Sequence, residues 1–198
     1  MSDVFVQDEV IKLRNKYRVY IDTHRNNVAL AWKNMKSNDI CEDTLGKCVE
    51  IYNGKIDVIN LVNLMNTVSA NVRSHDQSKY SDMEFEPYRK NFFPVNEKEK
   101  EENVQDFEKA FQHHYENNMH HWNWWANNNQ KEKMPLSFVV EMAMDWIAMS
   151  MIYSDSNALE WYQKQEDIVL GEKQKKCVEL ILKMYYTQFN ALGGSVLK

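Results

Sequence analysis

The chain is poor in the residues that punctuate, cross-link or anchor a protein. Its cysteines, Cys41, Cys48 and Cys177, form no CxxC pair and are odd in number, so neither a disulfide framework nor a zinc knuckle is implied. Cys41 and Cys48 are seven residues apart, a spacing that lets them share a helix face as small buried hydrophobes. Glycine occurs only at 46, 54, 171, 193 and 194, and proline only at 87, 94 and 135. No apolar run reaches the ~18 residues of a membrane span. The start, MSDVFVQDEV, lacks the basic-then-apolar order of a secretion signal, so the expected location is cytoplasmic, with no membrane partner. There is no basic excess either: a net charge of -5 speaks against non-specific binding of nucleic acid, though not against a small nucleotide held through a metal.

What is present is a globular composition, 43% hydrophobic and 27% charged, in 198 residues, enough for one well-buried domain. The apolar period is helical nearly throughout. Residues 8–35 carry Val10, Leu13, Tyr17, Tyr20, Ile21, Val28 and Trp32 on one face. A shorter helix over about 43–52 stops at Asn53-Gly54, and the next, 56–74, is apolar on a wide face and is expected to be central. Residues 81–96, with two prolines, read as a loop with one short helical turn. A helix resumes through EKEKEENVQDFEKAFQHHYENN, its charged start a solvated face. Pro135 opens another through MPLSFVVEMAMDWIAMSMIY, and a last helix over about 171–191 ends at Gly193-Gly194. The expectation is all-α: a single domain over 1–198, with a motif-bearing core at about 20–150 and C-terminal helices over 156–191 packed on it. A homo-oligomer is left open.

The histidines are distributed unevenly. Four of the six lie in HHYENNMHHW (113–122), and the others are His24 and His75. Neutral imidazoles and carboxylates that converge at about 2.0–2.2 Å hold a divalent ion. His75-Asp76 follows the 56–74 helix, and neighbouring residues reach one ion most easily at a helix end, because on a helix they point about 100° apart. His113 and His120, or His114 and His121, would lie about 10.5 Å apart on an unbroken helix, too far for one ion. A break at Asn117-Asn118 solves this, since asparagine tolerates the left-handed conformation of helix ends; His114 and His121 are the preferred ligands. Asp145 sits among Met142, Met144, Trp146, Ile147, Met149 and Met151. A buried carboxylate needs a partner, which a metal provides. Glu141, one turn earlier, is an outer-sphere acceptor or a proton carrier. Taken singly, each residue has a bland reading: a hydrogen-bonded core histidine for His24, surface neighbours for His113 and His121, a salt bridge from Asp145 to Arg25 or Lys79. Trp122, Trp124 and Trp125 either anchor an irregular loop or, for Trp122, offer a base-stacking wall; the anchor is the commoner fate.

Taken in order, His24, the doublet His75-Asp76 and the distal Asp145 resemble the HD superfamily of metal-dependent phosphohydrolases. HRNNV (24–28) is similar to that family's opening helix and HDQSK (75–79) to its HDxxK form, while the cluster at 113–122 resembles the extra ligands of its two-metal members. HDQSKY, the EF of MEFEPY, HHYENNMHHW and EMAMDW also look like an uncharacterised HD-like group of bacteria and their phages. The resemblance covers roughly 20–150 and lacks the GYP signature. It implies an HD-type helical bundle, with His24, His75, Asp76, His114, His121 and Asp145 holding one or two divalent ions (Mn, Fe, Co, Ni, Zn or Mg). Asp76 would bridge two ions and orient the attacking water, with Lys79 and Arg25 contacting the phosphate of a nucleotide or similar small ester. An HD-type di-iron oxygenase and a non-enzymatic, metal-stabilised binding module are the alternatives.

Overall fold

The computed structural model describes residues 2–37, 40–153 and 157–191, and every regular element among them is helical. The expected end at Gly193-Gly194 lies outside the described residues. The chain divides into two compact units: Met1–Arg25 with Asp76–Asn118, and Asn26–His75 with Met119–Lys198. Helix α1 (Ser2–Lys36) contributes to both.

The first unit adds a 3-10 turn (Gln77–Tyr80), α4 (Phe85–Phe92), α5 (Glu97–Glu102) and α6 (Val104–Asn117) to the first part of α1. Its core is aromatic: Tyr17 and Ile21 of α1 meet Phe85, Tyr88 and Ala110, with Tyr20, Tyr80, Phe93 and Phe107 around them. Two expectations change here. The 81–96 segment contains a full helix, α4, because Pro87 falls in its first turn, where the missing N–H had no partner. The helix expected from 97 to 118 is two helices. Buried Asn103 turns its amide to the Pro87 carbonyl at 2.7 Å, and the chain bends there. The break at Asn117-Asn118 is present, but Asn118 has φ -130 and is not left-handed. The Asn118 amide ends the helix by donating to the His114 carbonyl (2.8 Å) and to Ser78 Oγ (2.6 Å).

The second unit comprises the rest of α1, α2 (Ile40–Asn53), α3 (Val58–Ser74), α7 (Trp122–Asn127), α8 (Leu136–Ile152), α9 (Ala158–Gln163) and α10 (Glu172–Ala191). Helix α2 stops where Gly54 takes φ 77, a conformation glycine adopts without a Cβ clash. Asp57 caps α3 by accepting from the Ile59 and Asn60 amides. Helix α8 packs against α3 and α10, which also touches α2. Cys41, Cys48 and Cys177 are free and buried in this core. Helix α3 is less enclosed than its sequence suggests: Leu64, Val68 and Val72 are buried, whereas Val58, Ile59 and Val62 are exposed. No helix among the described residues is long and apolar enough to cross a membrane.

Candidate metal centre

Each unit places histidine between an outer glutamate and an inner aspartate: His114 in the first, His75 and His120 in the second. In the first unit the inner carboxylate is Asp76. Helix α3 ends at Ser74, and Asp76 takes a left-handed φ of 53, which costs an L-residue about 1 kcal/mol and is tolerated best by Asn and Asp. The turn is closed by the Lys79 amide donating to the Asp76 carbonyl at 3.1 Å. Asp76 Oδ2 lies 3.6 Å from His24 Nε2, and Oδ1 lies 3.4 Å from His114 Nε2. All three residues are buried. Lys79 Nζ also contacts Asp76 Oδ2, at 2.7 Å. Arg25 lies over the Tyr80 ring at 5.4 Å, and the Tyr80 hydroxyl bonds to Asp22.

Behind His114 stands Glu84, fully buried, with Oε2 2.8 Å from His114 Nδ1 and Oε1 2.7 Å from His113 Nδ1. Burial pushes the Glu84 carboxyl up, but hydrogen bonds from His114, Ser78 and His113 outweigh it and hold it below its ordinary range. A carboxylate at Nδ1 fixes that proton and leaves the Nε2 lone pair facing forward. His113, nearly a third exposed, braces Glu84 from outside.

The second unit repeats the arrangement. Glu141 and Asp145 lie one turn apart on α8, on one helix face. Glu141 Oε1 contacts His75 Nδ1 at 3.0 Å and His120 Nδ1 at 3.3 Å. Their Nε2 atoms face Asp145 Oδ1 and Oδ2, each at 3.8 Å. His121 joins this set: one ligand atom each from His120, His121 and Asp145 lie within 4.8 Å of one another. Burial opposes ionisation of Glu141, yet hydrogen bonds from His120 and His75 hold its pKa at about 2.

These donors suit a divalent cation. Where a glutamate accepts the Nδ1–H hydrogen bond of a neutral ring, the Nε2 lone pair turns toward a carboxylate oxygen, a juxtaposition a cation resolves. Two donors sharing an ion at about 2.1 Å each lie about 3.0–3.4 Å apart for right-angle to tetrahedral geometry, close to the spacings here and longer than most hydrogen bonds. Glu141 is the residue whose loss isolates this effect. Glu141→Gln removes the charge that orients His75 and His120, and outer-sphere changes of this kind cost 10–100-fold in affinity. Calorimetric titration with Mn²⁺ should show that loss with the fold unchanged by circular dichroism.

A family model matches residues 13–184, one described as a family of unknown function, DUF5662. The chain belongs to the DUF5662 family. No curated protein and no solved structure matches it. The DUF5662 match spans every histidine and carboxylate of both sets.

Of the residues expected from sequence, the first unit holds His24, Asp76, His114, Lys79 and Arg25, and the second holds His75, His121, Asp145, Glu141 and Trp122. Glu141 contacts two histidines as an acceptor, one of its two expected roles. Trp125 is buried, its Nε1 donating to the Met119 carbonyl at 2.8 Å, and Trp122 and Trp124 pack half-buried on the same core, in keeping with the anchor role. Sequence reasoning missed Glu84 and, with His120 among its candidates, preferred His121 to it. His120 belonged to the visible cluster, but its burial depends on how the chain turns after Asn118. Glu84 gave no signal, because its partners lie 29 and 30 residues away.

Proposed function

We propose that this chain is a metal-dependent phosphohydrolase acting on a nucleotide or a related small phosphate ester, with an HD-type arrangement of ligands. The observation that carries the reading is the repeated order of outer glutamate, histidine and inner aspartate: Glu84–His114–Asp76 in the first unit, and Glu141 with His75 and His120 before Asp145 in the second. His24, Asp76 and His114 would hold one ion. His75, His120, His121 and Asp145 would hold another. A divalent cation supplies Lewis acidity there: charge for a phosphoryl oxygen and a lower pKa for water.

The chain's own residues supply the rest. Glu84 and Glu141 hold the His114, His75 and His120 rings in place through Nδ1. Asp76 accepts a hydrogen bond from water and orients it toward phosphorus. Lys79 and Arg25 provide the fixed cations of the first unit against the non-bridging oxygens. A net charge of -5 does not oppose a small anion, because the local field of the site outweighs the distant surface charges.

The test is phosphate release by the purified protein, loaded with Mn²⁺, Co²⁺, Ni²⁺ or Fe²⁺, from a panel of mono-, tri-, cyclic and dinucleotides. Release from some member supports the reading. A metal-loaded protein inert on the whole panel contradicts it, and bound iron with a mixed-valence paramagnetic signal would favour the oxygenase alternative.

A further inference from the structure

We propose that Lys79 competes with a divalent ion for Asp76, so that the first unit takes its ion together with a phosphate group. This rests on the metal-dependent reading above and adds how its first site is controlled. Lys79 Nζ lies 2.7 Å from Asp76 Oδ2, the same oxygen that His24 Nε2 faces at 3.6 Å. An ion shared by His24 Nε2 and Asp76 Oδ2 would draw on the same carboxylate oxygen as the ammonium.

Both side chains are mostly enclosed, Asp76 at 3% and Lys79 at 16% exposure, so a divalent and a univalent cation on one oxygen repel with little screening. The Lys79 backbone is fixed beside the site, its amide bonded to the Asp76 carbonyl within the same tight turn, so the ammonium stays within one side-chain length of Asp76. Displaced from Oδ2, the ammonium stays beside the site and is best neutralised by an anion. A phosphoryl group meets both demands, placing oxygens toward the ion and toward Nζ. Ion and phosphate therefore favour each other's binding, and by linkage each raises the other's affinity by the same factor. The substrate class this selects is a phosphate ester with at least one non-bridging oxygen free for Lys79.

The test is calorimetric titration of the full chain with Mn²⁺, with and without inorganic phosphate, reading the binding event that Asp76→Asn removes. Lys79→Met, close in length but neutral, should tighten that event by about tenfold, within the usual range of coupling between sites. Lys79→Arg, which keeps the charge, should leave it weak. Phosphate should tighten the event in the wild type and do so much less in Lys79→Met. Equal or weaker Mn²⁺ binding in Lys79→Met, or no event that Asp76→Asn removes, overturns the proposal. Phosphate release from nucleotides is scored separately, so a protein that shows the Lys79 effect yet hydrolyses nothing would sink the phosphohydrolase reading alone.

Discussion

Asp76→Ala is expected to lower metal-dependent phosphate release by roughly a thousandfold, about 4 kcal/mol of transition-state stabilisation. Three roles meet in this side chain. Its two oxygens face His24 Nε2 and His114 Nε2, and one of them also holds Lys79. Alanine leaves two imidazoles without the inner carboxylate and removes the carboxylate that Lys79 contacts at 2.7 Å. Elemental analysis should then show loss of the first unit's ion, with the second unit's retained. Asp76→Asn separates charge from shape: it keeps the side-chain volume in the left-handed position but halves the oxygen donors, and should fail nearly as badly. Phosphate release within tenfold of the wild type in either variant would remove Asp76 from the chemistry.

Arg89→Met is expected to destabilise the first unit by about 3 kcal/mol, the low end for breaking a buried ion pair. Arg89 is 1% exposed and is held by two carboxylates. Its Nη1 and Nη2 each donate to Glu99 at 2.8 Å, its Nε and Nη2 donate to Glu86, and Nη1 also reaches the Phe93 carbonyl. Glu99 and Glu86 keep a fifth to a third of their side-chain surface, so water softens the loss. The guanidinium holds the Glu99 carboxyl below its ordinary range. A depressed carboxyl contributes stability that is present above its unfolded pKa of about 4.3 and is lost as pH falls through the lower folded value. The gap between wild type and Arg89→Met should therefore narrow below about pH 4. All six tryptophans lie in the second unit, so tryptophan fluorescence follows that unit while circular dichroism follows both. Urea unfolding with coincident, unshifted curves in Arg89→Met would contradict the assignment.

Local chemistry was legible in the sequence. Gly54 ends α2, Pro135 precedes α8, and the helix of the cluster stops at Asn117, because each depends on a residue's own backbone preference or on a partner within one turn. The inner histidines and aspartates were legible for a related reason: in apolar or helix-end contexts they are costly unless something compensates them. Residues that act through distant partners were not. Glu84 reads as one more acid before an aromatic, and nothing nearby marks it as the brace of His113 and His114. Arg89 lies in a charged stretch that looks solvated, yet it is among the most enclosed side chains of the first unit. Asn103 interrupts an unbroken helical period only because the Pro87 carbonyl is there to receive its amide. The exposed Val58, Ile59 and Val62 err the other way, since an apolar face reports what can be buried and not what a neighbour covers.

The most direct measurement is the divalent metal content of the full chain, purified without chelator, loaded with Mn²⁺ and dialysed. At least one ion per chain should remain, rising when phosphate is present, and none should remain in the Asp76→Ala/Asp145→Ala double variant, whose helical content should be unchanged. A wild-type chain that dialyses metal-free, or a double variant that keeps its full complement, would show that these histidines and carboxylates do not serve as ligands.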